Sequence, residues 1–235
     1  DLPVWRSLLY VPVNVEKFVD KAHTRGADVL QLDLEDAVPP AEKEKARTLV
    51  EKNAARVRRG GADVVVKLEY FNPTGSYKDR MALAMIEGAE RRGTLKPGMR
   101  VIEYTGGSTG SSLAMVCAMK GYAFHPLSSD AFSEEKLNTM RAFGADLEMI
   151  ASDGGKVTPA LFDKFKARIA ELMKEPGTFF TDQFNNADAL DGYANIGREL
   201  AEQVDRIDAF VGAVGSAGMM LSPLGPLAPA LRGEG

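Results

Sequence analysis

Asn72-Pro73-Thr74-Gly75-Ser76-Tyr77-Lys78-Asp79-Arg80 is the stretch on which the reading of this chain turns. Asn-Pro followed by Thr-Gly-Ser makes a tight turn. Helix signals begin at once: Ser76 and Asp79 are spaced like a capping box, and the helix is expected over 76–92. Lys78 then stands in the first helical turn, near the positive end of the helix dipole. An ammonium is disfavoured there, which lowers its pKa and suits an amine nucleophile that attacks an aldehyde. The competing reading is a solvated lysine paired with Asp79.

Outward from this turn, short apolar runs alternate with helical patterns. Strands are expected at 7–13, 29–34, 64–68, 100–104, 123–127, 147–150 and 209–214, with a short one at 179–180. Helices are expected at 15–25, 39–59, 111–120, 133–143, 159–174 and 190–203. Such alternation implies βαβ units and an α/β fold with a mainly parallel sheet flanked by helices in three layers. In the tail, Pro223, Pro226 and Pro229 argue against a regular helix over 219–231.

The 235 residues carry 29 Lys+Arg against 33 Asp+Glu, a formal net charge of −4, with 45% hydrophobic residues. This balance argues against disorder and offers no basic footprint for nucleic acid or an anionic membrane. No apolar run approaches the ~20 residues of a membrane span, and the opening Asp1-Leu2-Pro3-Val4-Trp5-Arg6 does not read as a signal peptide. The single cysteine, Cys117, favours a reducing cytoplasm and is expected in the core. With two histidines and that one thiol, no zinc site is expected.

Two glycine-rich turns follow expected strands. One is Thr105-Gly106-Gly107-Ser108-Thr109-Gly110; the other is Gly215-Ser216-Ala217-Gly218, ahead of Met219. Each exposes backbone amides at a helix start, which suits phosphate or carboxylate, although such turns also serve simply as connections. An early lysine and two anion cradles are what pyridoxal phosphate and an amino-acid substrate require.

From about Lys67 to residue 222 the chain resembles the cysteine synthase group of fold-type II pyridoxal-phosphate enzymes. The likeness is carried by Lys67-Leu68-Glu69, Asn72 to Arg80, Glu103 to Ala114, Gly121-Tyr122, Gly144-Ala145, Asp182-Gln183-Phe184-Asn185-Asn186 and Val214 to Gly218. The resemblance implies that Lys78 is the Schiff-base lysine. It implies further that Thr105, Gly106, Gly107, Ser108 and Thr109, bordered by Gln183, hold the substrate carboxylate. Ser108 also stands at a cofactor-contacting position, and Gly215, Ser216, Ala217, Gly218 and Met219 would hold the cofactor phosphate. Gly106 and Ser108 stand where the family carries Ser and Asn, and Met219 stands where it carries Thr. The family continues beyond this loop with further strands, so the expectation is a truncated segment, inactive if nothing completes it.

The first third carries a different signature: Arg6 to Pro12, Lys17-Phe18, Lys21-Ala22, Gly26-Ala27-Asp28 and Leu32-Asp33-Leu34-Glu35-Asp36-Ala37-Val38. It is similar to the start of the citrate lyase β-subunit and malyl-CoA lyase family of (β/α)₈ barrels, which implies a barrel-like βαβαβ segment over 1–66 ahead of the 67–235 segment. Asp33 and Glu35 share one strand face and Asp36 takes the other. They offer carboxylates to Mg²⁺, or simply an acidic cap on a βα loop. The two signatures meet inside Val64-Val65-Val66-Lys67-Leu68-Glu69 with no linker, as in a recombined or engineered chimera.

Three functions are therefore weighed. The first is pyridoxal-phosphate-dependent β-replacement or β-elimination on an O-activated serine, a small amino-acid substrate. The second is a chimeric α/β scaffold without activity. The third is a Mg²⁺-dependent CoA-thioester lyase fragment. Sheet edges left open by truncation would favour a homo-oligomer.

Overall fold

In the computed structural model, Leu8–Pro12 (β1) and Val29–Asp33 (β2) pair in parallel, with Val11 opposite Leu32 and the helix Glu16–Ala22 (α1) between them in the chain. The structure describes residues 8–25, 29–33, 38–57, 65, 67–205, 207, 210, 212 and 217–232. These fall into two units divided between Lys67 and Leu68; 205–213 and the residues from 229 on group with the first. Within the first unit, Val11, Val19, Ala22 and Val57 form one apolar cluster, and Val13, Val38, Ala46 and Val50 another. The single helix expected at 39–59 is instead a 3-10 turn (Pro40–Glu42), Lys43–Thr48 (α2) and Val50–Val57 (α3). The break has a local cause. Thr48 Oγ1 donates to the Lys45 carbonyl at 2.8 Å, and Leu49 N bonds only three or two residues back, which tightens the turn.

The second unit holds a four-stranded parallel sheet ordered β5-β4-β3-β6, an order that local patterning does not encode. Its strands are Arg100–Tyr104 (β3), Ala123–Ser128 (β4), Glu148–Met149 (β5) and Thr178–Phe180 (β6). Its helices are Lys78–Arg91 (α4), Ser108–Lys120 (α5), Glu134–Ala142 (α6), Pro159–Leu172 (α7), Ala187–Gln203 (α8) and Gly218–Leu221 (α9). Helix α7 packs Leu161, Phe165, Ile169 and Leu172 onto Ile102, Tyr104 and Leu127 of the sheet. Phe165 stacks on Tyr104 at 5.7 Å between centroids. Helix α5 is buried from Thr109 to Cys117, as a helix covered by both sheet and other helices must be. Burial pushes the Cys117 thiol up to about 12, so it is an inert core group. His125 of β4 is buried, with Asp146 Oδ2 and Glu148 Oε2 each 2.9 Å from one of its ring nitrogens.

Several expectations need correction. Of the strand at 64–68, Val64 and Val66 lie outside the described residues, and Val65, Lys67 and Leu68 are not in a strand. Val65 is largely exposed, with no sheet among the described residues covering it. Phe210 and Gly212 are likewise not in a strand, and the rest of 209–214, apart from these two, lies outside the described residues. The tail is helical despite its prolines: Leu224–Arg232 forms α10. Pro226 is its third residue, where a helix amide has no internal acceptor to lose. Among the described residues, no helix is long and apolar enough to cross a membrane, and no cluster of three potential metal ligands occurs. Glu35 and Asp36 lie outside the described residues.

Truncating Phe165 to Ala removes the ring that fills the space between α7 and β3. Unfolding in urea should show a loss of about 3–5 kcal/mol, whereas Met149→Ala, at an exposed site, should stay within about 0.5 kcal/mol. Equal effects would show that the core is not where the packing places it.

Candidate active site

Lys78 is the first residue of α4, two residues later than the capping-box spacing suggests. Ser76 Oγ accepts from Lys78 N at 3.2 Å, and the Asp79 carboxylate reaches back beyond the helix to Thr74 N (2.8 Å) and Thr74 Oγ1 (2.5 Å). Ser112 Oγ of α5 also donates to Asp79, at 2.5 Å. Asp79 is thus occupied with the turn and with α5, and does not pair with Lys78. The turn is clamped from the other side as well. Arg80 makes a two-pronged contact with Glu69 (2.8 and 2.9 Å) and another with Glu199 of α8 (2.7 and 2.9 Å), while Asn72 Nδ2 donates to Glu69 Oε2 at 2.7 Å. Burial works against the Arg80 charge, but the two carboxylates outweigh it and hold its pKa above the ordinary value.

The Lys78 amine points to α8, where Nζ donates to Tyr193 Oη at 2.7 Å. The rings of Tyr77 and Tyr193 lie 5.2 and 5.3 Å from Nζ. Burial lowers the Lys78 pKa to about 8. Tyr193 is fully buried, and Gly218 of α9 sits against its ring, where a Cβ would come within 2.9 Å of Cε2. Gln183, Asn186, Leu190, Tyr193 and Gly218 border a cavity of about 190 Å³. Ligand pockets usually begin near ~300 Å³, so the chemistry of the walls marks the site more than the size of the hollow.

The loop after β3 forms the second cluster. Thr105 is buried, and its Oγ1 accepts from Gly107 N (3.3 Å) and Gly110 N (3.1 Å). Thr109 Oγ1 donates to Gln183 Oε1 at 2.8 Å, and Gln183 Nε2 donates to the Tyr104 carbonyl at 3.1 Å. Ser108 and Thr109 open α5, and their amides have no acceptor among the described residues. Beneath the loop lies Glu103, fully buried and accepting from Tyr104 N (3.0 Å), Gln183 N (3.0 Å) and Thr181 Oγ1 (2.7 Å). Burial pushes its pKa up to about 7 against those three donors. Gly106 faces Phe132, whose Cζ would lie 2.8 Å from a Cβ at that position.

The sequence-predicted residues thus form two groups: Lys78 with Gly218, joined through Tyr193, and Thr105, Gly107 and Thr109 with Gln183. Gln183 and Gly218 border the same cavity. Ala217 and Met219 flank Gly218 at the start of α9, Ala217 in the left-handed region at φ 62°. Gly215 and Ser216 lie outside the described residues. Tyr193 escaped the sequence reading, because it falls on the apolar stripe Ala189, Tyr193, Ile196, Leu200, which reads as core. Glu103 enters that reading as the start of the Glu103 to Ala114 likeness, without a role of its own.

Comparison with known proteins shows a match over residues 41–222 to the family described as "Pyridoxal-phosphate dependent enzyme". A cysteine synthase of Staphylococcus aureus is 43% identical over 170 residues, covering 71% of this chain and 51% of that protein. Among solved structures, O-acetyl serine sulfhydrylase isoform 3 of Entamoeba histolytica is 34% identical with a TM-score of 0.61, covering 71% of this chain and 49% of that one. A hydrogen sulfide-producing enzyme of Fusobacterium nucleatum is 34% identical with a TM-score of 0.63, covering 71% of this chain and 54% of that one. The chain therefore spans about half the length of the relatives it matches.

Burial of Lys78 has a thermodynamic signature. Its ammonium is penalised in the folded state below about pH 8, and the penalty fades as pH rises toward the ordinary value of 10.5. The stability difference between Lys78→Met and the parent chain should therefore shrink by up to about 3 kcal/mol from neutral pH to the top of that range. Denaturant titrations at the two ends check this, and a pH-independent difference would show that the amine is not buried.

Proposed function

Because the chain belongs to the pyridoxal-phosphate dependent enzyme family, we propose that it holds pyridoxal phosphate at Lys78 and promotes β-replacement or β-elimination on an O-activated serine. The observation that carries this reading is the largely buried Lys78 amine, with a pKa near 8, held by Tyr193, which borders a cavity together with Gly218. The donor set fits a phosphorylated aldehyde and an amino acid: a primary amine, unpaired amides at the start of α5, and a glycine turn too closely packed for a side chain. When bound, the cofactor supplies an electron sink for charge developing at the substrate's Cα.

The chain's own residues do the rest. The amides of Ser108 and Thr109, with the side chains of Thr109 and Gln183, orient the substrate carboxylate, and Thr105 holds the loop in shape through its own Oγ1. Ser108 would also border the cofactor, and Gly215 to Met219 would receive its phosphate. Lys78 Nζ is the base that takes the Cα proton as the group on Cβ departs. The acid form of that amine can return the proton, and a pKa near 8 keeps both forms populated at neutral to mildly alkaline pH.

A second reading concerns the chain's organisation. We infer that 1–66 is a barrel-like βαβαβ fragment similar to the start of the citrate lyase β-subunit and malyl-CoA lyase family, joined to the truncated cofactor-type segment 67–235. The parallel β1-α1-β2 unit and the divide between Lys67 and Leu68 support it. The family match reaching back to residue 41 weighs the other way for α2 and α3.

Three measurements test these proposals. Adding pyridoxal phosphate to the purified chain should give an absorbance band near the visible edge that Lys78→Ala abolishes. The loaded chain should consume O-acetylserine with sulfide. Identical spectra for parent and variant would end the cofactor assignment, and a bound cofactor without turnover would favour the inactive scaffold. Limited trypsin digestion should leave a resistant fragment beginning after Arg58, Arg59 or Lys67; digestion without such an intermediate would remove the two-domain reading.

A further inference from the structure

Tyr193 holds the Lys78 amine in a way that sets its direction. Lys78 Nζ donates to Tyr193 Oη at 2.7 Å, and Tyr193 Oη lies 2.9 Å from Met81 Sδ, one turn further along α4. A thioether sulfur has no proton to give, so the phenolic hydrogen is the donor in that contact. The phenol oxygen therefore faces Lys78 as an acceptor. An amine that spends one N–H on this oxygen carries its lone pair away from the phenol.

The phenol is itself fixed. Its ring is fully buried, packs against Tyr77 at 5.8 Å between centroids, and is flanked by Gly218, where any side chain would collide with it. The close approach of α4 and α8 leaves the ring no room to swing. A Cβ on Gly192, the residue before Tyr193, would stand 2.5 Å from the Arg80 carbonyl. Among the described residues, Tyr77 and Asp79 also lie close to Lys78. Tyr77 offers its ring face, and Asp79 is committed to Thr74 and Ser112.

We propose that Tyr193 is a positioning residue for the Lys78 amine: its hydroxyl oxygen takes one N–H of Nζ, so that the nitrogen lone pair faces the side from which a carbonyl would approach. The assignment rests on the proposed function for its purpose, since an aimed amine matters to a carbonyl ligand. The contact itself stands on the geometry. Helix α8 thereby contributes to the site through a residue that touches the nucleophile.

Trace acetylation with acetic anhydride, read peptide by peptide across about pH 6 to 11, follows the free amine of Lys78 without any cofactor. In Tyr193→Phe the ring packing remains and only the acceptor is lost, so the buried ammonium is left without that partner. The reactivity midpoint of Lys78 should fall by about one pH unit, with other lysines unmoved. In Met81→Leu the phenolic hydrogen is released to turn toward Nζ and bind its lone pair. The alkaline plateau of Lys78 reactivity should then drop several-fold, and this variant serves where Tyr193→Phe does not fold. A midpoint unchanged or raised in Tyr193→Phe, or an unchanged plateau in Met81→Leu, overturns the proposal. A parallel arm with pyridoxal phosphate and borohydride reduction separates the two claims. If parent Lys78 is not modified, the proposed function falls and with it the purpose assigned to the contact. If parent Lys78 is modified and the acetylation profiles of both variants match the parent, the positioning role alone falls.

Discussion

The distance between α4 and α8 governs the placement of the Lys78 amine. Gly192 lets the α8 backbone approach the Arg80 carbonyl, and Gly88 lies against the Asp188 carboxylate, which pairs with Arg92 at 2.5 and 2.7 Å. At this spacing Arg80 spans to Glu199 and Lys78 reaches Tyr193. A side chain at Gly192 would force the helices apart, and a shift of even one ångström would break the 2.7 Å amine contact. The same approach buries the amine and so lowers its pKa. Packing thus precedes electrostatics here: the glycines set the helix separation, the separation sets the burial, and the burial sets the protonation.

That arrangement costs stability, and the cost falls where chemistry needs it. A lysine held near pH 8 and a carboxylate near pH 7 are both kept away from their preferred ionisation by burial. The two groups are supported differently. Glu103 receives three donors from backbone and hydroxyl groups around the end of β3, which compensate part of its burial and tie Gln183 to the loop. Lys78 has a neutral phenol and two ring faces, partners that steady an amine without fixing a full charge. Glu103 is therefore read as a tie that shapes the loop, and Lys78 as the group left reactive.

Much of the second unit was legible because local rules determine it. The run Arg100–Tyr104 has the apolar content of a buried parallel strand, and Thr158-Pro159 opens α7 with a capping hydroxyl and a proline at the first helical position. Where a short polar motif decides, the reading slipped: α8 begins at Ala187 because Asn186 caps Asp188 N, three residues before the helix expected at 190. Long-range facts were not legible at all. Lys78 and Tyr193 are 115 residues apart, and no local pattern distinguishes a tyrosine that holds an amine from one that fills a core. The Asp79 carboxylate fits a capping box by spacing, yet it turns to Thr74 and Ser112, because the buried turn offered it better donors than its own helix.

The departures from the family pattern can be weighed in the same physical terms. Gly106 stands where the resemblance expects a serine, and the structure shows what occupies the freed space: the Phe132 ring, from the turn after β4, lies where a side chain at 106 would go. The lost hydroxyl and the phenyl ring are thus coupled. A serine restored at 106 would collide with the ring unless Phe132 also changed. The exchange removes one donor from the loop but covers it with apolar surface, and amides facing a carboxylate attract it more strongly when water is excluded. The amides of Ser108 and Thr109 and the Thr109–Gln183 bond survive the exchange. The loop therefore keeps the unpaired amides that the proposed carboxylate site would use while replacing a polar side chain with cover, so the departure at Gly106 does not by itself argue against that proposal.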